Sequence, residues 1–150
     1  MQRKLMLLLI VVVFLLALVP AAGATQPSGP VTIETELSFA SFPFGGTFEV
    51  TEGAALLGCS EGTFVDIPRG RGPGAIHKIF TCQTEGVGTF TFGFATAPLP
   101  GPGDLNGHWT AWKGTGDFVG VRGQGDFSVV FADPPNAEET LTGTIHFDPQ

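Results

Sequence analysis

Apolar and polar residues alternate with a period of two in one segment of the chain after another. In residues 31–39 (VTIETELSF), Val31, Ile33, Leu37 and Phe39 are apolar, while Thr32, Glu34, Glu36 and Ser38 are polar. That rhythm predicts a half-buried strand with one wet face. It returns in residues 89–96 (TFTFGFAT), where Phe90, Phe92 and Phe94 share a face, and in residues 126–132 (DFSVVFA), with Phe127, Val129 and Phe131. Residues 140–147 repeat it through Leu141, Ile145 and Phe147, and shorter candidates fall at 47–51, 63–67, 76–84 and 108–113. These make about eight strands.

No window beyond residue 25 sustains the three-to-four-residue spacing of a helix without a Gly or Pro interrupting it. Turns rich in these residues, such as PRGRGPG and PLPGPG, join the strands. The tripeptide GTF opens a strand at Gly46, Gly62 and Gly88, with unequal spacing that excludes a solenoid repeat. Phe occurs 14 times and Tyr never, and Phe fills a core without needing a hydrogen-bond partner. The fold class is therefore all-β and antiparallel, and the alternation leaves a closed barrel and a sandwich both open. Nothing reads as βαβ, which excludes a parallel sheet.

The N-terminus follows a different pattern. Arg3 and Lys4 precede an unbroken apolar run from Leu5 to Val19, followed by Ala22-Gly23-Ala24. This order predicts a signal peptide over 1–24, cleaved to leave residues 25–150 as a single domain. The run is shorter than the roughly 20 residues that cross a bilayer, so no membrane anchor is expected after cleavage. The expected location is secreted, extracellular or periplasmic. Cleavage removes two of seven basic residues and leaves Arg69, Arg71, Lys78, Lys113 and Arg122, scattered among 14 acidic ones. Such a surface repels phosphates, which excludes nucleic acid as a partner. Cys59 and Cys82 are the only cysteines. An even pair in an exported chain predicts a disulfide, since zinc would need two further ligands and no Cys-x-x-Cys spacing exists.

The densest glycine stretch is KGTGDFVGVRGQGDF, residues 113–127. Gly114, Gly116 and Gly120 are spaced one residue too long for a dinucleotide fingerprint, and an alternating strand follows where a helix would be required. The stretch predicts a hairpin instead, with Gly114 and Gly116 ending one strand, Phe118 pointing into the core, and the next strand starting near Asp126. Gly114, Thr115, Gly116, Phe118, Arg122 and Gly123 stand where the hairpin of the allene oxide cyclase and dirigent barrel proteins has its own signature. Together with NGHWTAWKG and the cysteine-bracketed unit 59–82, the stretch resembles small secreted bacterial proteins sharing that hairpin. The resemblance covers about a third of the mature chain. It implies an eight-stranded, calycin-like antiparallel barrel. No catalytic residue carries over, and the chain lacks the tyrosines associated with dirigent-type barrels.

The remaining chemistry is sparse. Asp117 and Asp126 flank the glycine hairpin, each before a Phe, and are expected on the solvated face. His77, His108 and His146 lack local ligand spacing, so no metal or other cofactor is expected. None of the serines lies in Gly-x-Ser-x-Gly. The segment DPPNAEETL, with Asp133, Glu138 and Glu139, reads as a solvated acidic turn. Trp109 and Trp112, three apart on a strand, point to opposite faces. The resulting expectation is a non-catalytic barrel that binds a small apolar molecule, lined by Phe90, Phe92, Phe94, Trp109 and Trp112. An isomerase or cyclase using the barrel cavity, and an extracellular carbohydrate- or protein-interaction module, are the alternatives. A buried carboxylate with a raised pKa inside the barrel would favour the isomerase.

Overall fold

The structure, a computed structural model, describes residues 27–68, 75–96, 105–133 and 135–149. The leader 1–24 and most of the turns PRGRGPG and PLPGPG lie outside the described residues. Among the described residues eight strands follow one another: β1 Ser28–Ser38, β2 Gly45–Glu52, β3 Glu61–Pro68, β4 Ile76–Cys82, β5 Thr89–Thr96, β6 Leu105–Gly114, β7 Val121–Asp133 and β8 Asn136–Phe147. Each pairs antiparallel with the next, and β1 closes on β8 from Ser28↔His146 to Ser38↔Asn136. The result is a closed barrel and not a sandwich, because pairing of the first and last strands leaves no sheet edge.

All eight segments with a two-residue rhythm became strands, and the rhythm names the inward residues. Val31, Ile33, Thr35 and Leu37 of β1 are buried, as are Phe90, Phe92 and Phe94 of β5 and Phe127 and Val129 of β7. One helical turn, α1 (Ala54–Leu57), sits between β2 and β3, bounded by Gly53 and Gly58 in left-handed conformations. It packs the buried Leu57 under one end of the barrel. Cys59 and Cys82 are joined at the same end, with Cα atoms 5.9 Å apart, tying the β2–β3 connection to the end of β4.

The connections β2–β3, β4–β5 and β6–β7 share that end, and the interior above them is solid with rings. Phe80 stacks on Phe90 at 4.7 Å between centroids, Phe90 meets Phe118 at 5.0 Å, and Phe92 stacks on Trp109 at 4.5 Å. Trp109 lies flat against β7 and β8 because Gly125 and Gly143 face each other there. A Cβ on either would fall within 2.7 Å of the indole. Its Nε1 donates to the carbonyl oxygens of Asp126 and Thr142, at 3.1 and 3.2 Å, which satisfies a buried donor.

The glycine hairpin closes this packed end. After Gly114 comes a single 3₁₀ turn, Gly116–Phe118, and β7 then begins at Val121, five residues before the position the alternation suggested. The glycines of VRGQG conceal the earlier start, since a strand residue without a side chain shows no polarity. Phe118 is fully buried as expected. Thr115 Oγ1 accepts from the Thr89 amide at 2.9 Å, and the amides of Thr115 and Asp117 donate to Thr89 O and Val87 O, each at 2.8 Å. Gly116 holds φ +59, and a Cβ there would lie 2.4 Å from Val87 O. Arg122 then clasps β6 and the C-terminus: Nη1 donates to Trp112 O at 2.7 Å, and Nε lies 3.0 Å from Asp148 Oδ2. The hairpin is a structural latch that buttons β6–β7 onto β5.

Candidate site at the open barrel mouth

At the opposite end, where β1, β3, β5 and β7 finish, the ring packing thins to pairs such as Phe94 edge-on to Phe127 at 5.0 Å. Leu37 of β1, Ile76 of β4, Phe94 of β5, Leu105 of β6 and Phe127, Val129 and Phe131 of β7 surround a cavity of about 270 Å³ whose wall is almost wholly carbon. That is near the lower end of the range for small-molecule sites. Phe39 adds to the rim, stacked on Phe131 at 5.9 Å and edge-on to Phe44 at 5.1 Å. Phe42, 69% exposed, continues the aromatic rim outward.

Beneath this apolar wall lies a buried charge cluster. Lys78 is 2% exposed, and its Nζ lies 3.1 Å from Asp66 Oδ1 and 2.8 Å from Glu139 Oε2. Asp66 and Lys78 are direct cross-strand partners on β3 and β4, whereas Glu139 comes from β8 across the interior. Thr35, paired with Glu139 on β1, donates its hydroxyl to the same Oε2 at 3.1 Å. Nζ also sits over the Phe64 ring, 3.8 Å from its centroid, an attraction strengthened by exclusion of water. Burial raises the pKa of Asp66, with Lys78 opposing the shift and Glu139 adding to it. Two carboxylates share one ammonium, so desolvation and like charge both favour a proton on Asp66.

Glu139 corrects the expectation for DPPNAEETL. From Asn136 onward the segment is the beginning of β8, and of its two glutamates Glu138 faces solvent while Glu139 is inward and 4% exposed; the side chain of Asp133 lies outside the described residues. Position decides over residue type: Glu139 lies two residues before the inward Leu141. Asp66 (two after Phe64) and Lys78 (two before Phe80) carry the same signal.

The residues expected to line a ligand site are not all at the mouth. Phe94 lines the cavity, but Phe90, Phe92 and Trp109 belong to the packed half, fully buried and ring against ring. Trp112 is on the outer wall, 42% exposed, with its ring edge-on to His77 at 5.2 Å. The two tryptophans do take opposite faces. Asp126 is exposed and contacts His108 Nδ1, while Asp117 sits in the 3₁₀ turn, so the two carboxylates occupy different elements. His146 is on the outer wall near Asp148.

A broader trough of about 830 Å³ runs along the outer wall and carries Glu34, Glu36, Glu49, Glu61 and Glu138. Glu34 faces Glu49, Glu36 faces Glu138, and Glu49 faces Glu61 directly across strands, an arrangement that costs stability. Its lining is more polar than apolar, whereas the lining of the mouth is almost wholly apolar. No family model, curated protein or solved structure matches this chain.

Proposed function

We propose that this protein is an exported, disulfide-bonded β-barrel that binds a small apolar molecule in its open mouth. The observation that carries the reading is the apolar-walled cavity of about 270 Å³ at one end of the ring-packed interior. Burial of apolar area in a preformed cavity favours binding without a large ordering cost. The signal-like leader and the Cys59–Cys82 bond support export. The test is a fluorescence titration with phenylnaphthylamine, an uncharged dye that brightens in apolar sites. The protein should saturate with the dye, and Leu105→Trp, which fills the cavity, should abolish the signal while leaving the fold intact by circular dichroism. No enhancement, or equal enhancement in Leu105→Trp, would contradict the reading.

One observation favours a second reading, an isomerase or cyclase that uses the barrel cavity. Asp66 is a buried carboxylate with a raised pKa inside the barrel, a property associated with proton-transferring groups. On this reading the protein should exchange protons next to a bound ketone's carbonyl for deuterium from heavy water, and Asp66→Asn should stop the exchange. A rate equal to buffer alone would leave binding as the function.

A further inference from the structure

Charge and hydrogen bonding disagree at the floor of the mouth. Both carboxylates are within ion-pair distance of Lys78 Nζ, at 3.1 and 2.8 Å, yet two such contacts leave at least one of its N–H groups over. Nζ and Asp66 Oδ1 are both buried without a hydrogen-bond partner. An ammonium has three N–H directions, and leaving a buried charged donor unmatched is costly. The Lys78 side chain also forms part of the cavity wall, and Phe94, another wall residue, has its ring centroid 5.5 Å from Nζ.

We infer that the mouth takes a neutral apolar molecule carrying one carbonyl or hydroxyl oxygen, which accepts a hydrogen bond from Lys78 Nζ. This rests on the mouth being a ligand site and adds the class of ligand. The apolar body meets Leu37, Ile76, Leu105 and Val129, and the oxygen reaches the floor as the Phe94 ring turns aside. A carboxylate head group is disfavoured because it would add an anion beside an ammonium already shared by Glu139 and Asp66. An amine is disfavoured because it brings a second cation to Nζ and offers no acceptor to the unmatched donor. The raised pKa of Asp66 works in the same direction, since its protonation brings the cluster to neutrality and leaves no charge for a ligand to balance. Once protonated, Asp66 is itself a donor to the same oxygen.

The experiment displaces phenylnaphthylamine with octanone, octanoate, octylamine and octane, on the wild-type protein and on the triple variant Asp66→Asn, Lys78→Met, Glu139→Gln. Octanone should displace the dye from the wild type, with octanoate and octylamine at least about tenfold weaker. In the triple variant octanone should lose about tenfold while octane is unchanged, since tenfold corresponds to about 1.4 kcal/mol, a modest hydrogen bond. Should the variant not fold, infrared spectroscopy of carbonyl-labelled octanone on the wild type decides. A carbonyl band shifted below its frequency in hexane supports the inference, and a band at the hexane frequency overturns it. Octanoate or octylamine binding as tightly as octanone also overturns it. If the dye itself never binds, the ligand-site reading fails, and this inference with it.

Discussion

Both halves of the barrel interior are cut from the same eight strands with the same alternation, and they end in different chemistry. In the half near the glycine hairpin, inward positions hold Phe48, Phe80, Phe90, Phe92, Trp109 and Phe118, ring against ring. In the half near the mouth, the inward register passes through Thr35, Asp66, Lys78 and Glu139 before reaching the apolar rim. The packed half needs no partner beyond itself and can be latched shut by hydrogen bonds such as Thr115 to Thr89. The mouth half holds a charge cluster that rings cannot fill and leaves space above it. Ring packing is therefore concentrated at one end, and apolar cavity space at the other.

The largest effects should come from truncations that separate the two halves. Phe90→Ala, in the packed half, should lose about 3–5 kcal/mol in denaturant unfolding, the usual range for a fully buried ring. Phe131→Ala at the rim, 45% exposed, should lose no more than about 1 kcal/mol. Equal losses would erase the comparison. Lys78→Met alone should lose about 3–5 kcal/mol, because it strands two carboxylates in the interior. Adding Asp66→Asn and Glu139→Gln should restore much of that loss.

Reduction of the Cys59–Cys82 bond should cost about 3.5 kcal/mol, the closure entropy of a loop of that length. An unchanged melting temperature would remove the bridge from the account. Asp66 gives the mouth a pH dependence. Its folded pKa is raised by burial, so folding favours the protonated form. That contribution is fully present below the ordinary carboxylate range and is lost as pH rises through the raised folded value. Asp66→Asn should flatten this part of the stability profile, and an unaltered slope would contradict the assignment. The smallest effect belongs to the outer wall: Glu49→Gln relieves facing charges from Glu34 and Glu61 and should stabilise by about 0.2–1 kcal/mol, less at high salt.

Much of the architecture was legible in the alternation, because a strand's period is a local property. Closure was not, since it depends on β1 meeting β8 more than a hundred residues later. The lining of the mouth was half legible for a related reason. Parity places Phe90, Phe92 and Phe94 on the inward face, but height along the barrel axis depends on register between strands, and only Phe94 reaches the mouth. The charge cluster was written in the same parity, through Phe64 to Asp66, Lys78 to Phe80 and Glu139 to Leu141. It is hidden by the habit of reading charged residues as solvated. Trp112 shows the complementary case, an aromatic residue whose parity with respect to Trp109 places it outside.

The central claim is that the mouth, and not the packed half, receives the ligand. Methyl-labelled NMR with octanol as titrant tests it most directly. The account predicts shifts at Leu37, Ile76, Leu105 and Val129, with Ile33, Val121, Leu141 and Ile145 unmoved. No shifts up to the solubility limit of octanol, or shifts spread evenly over both groups, would contradict it.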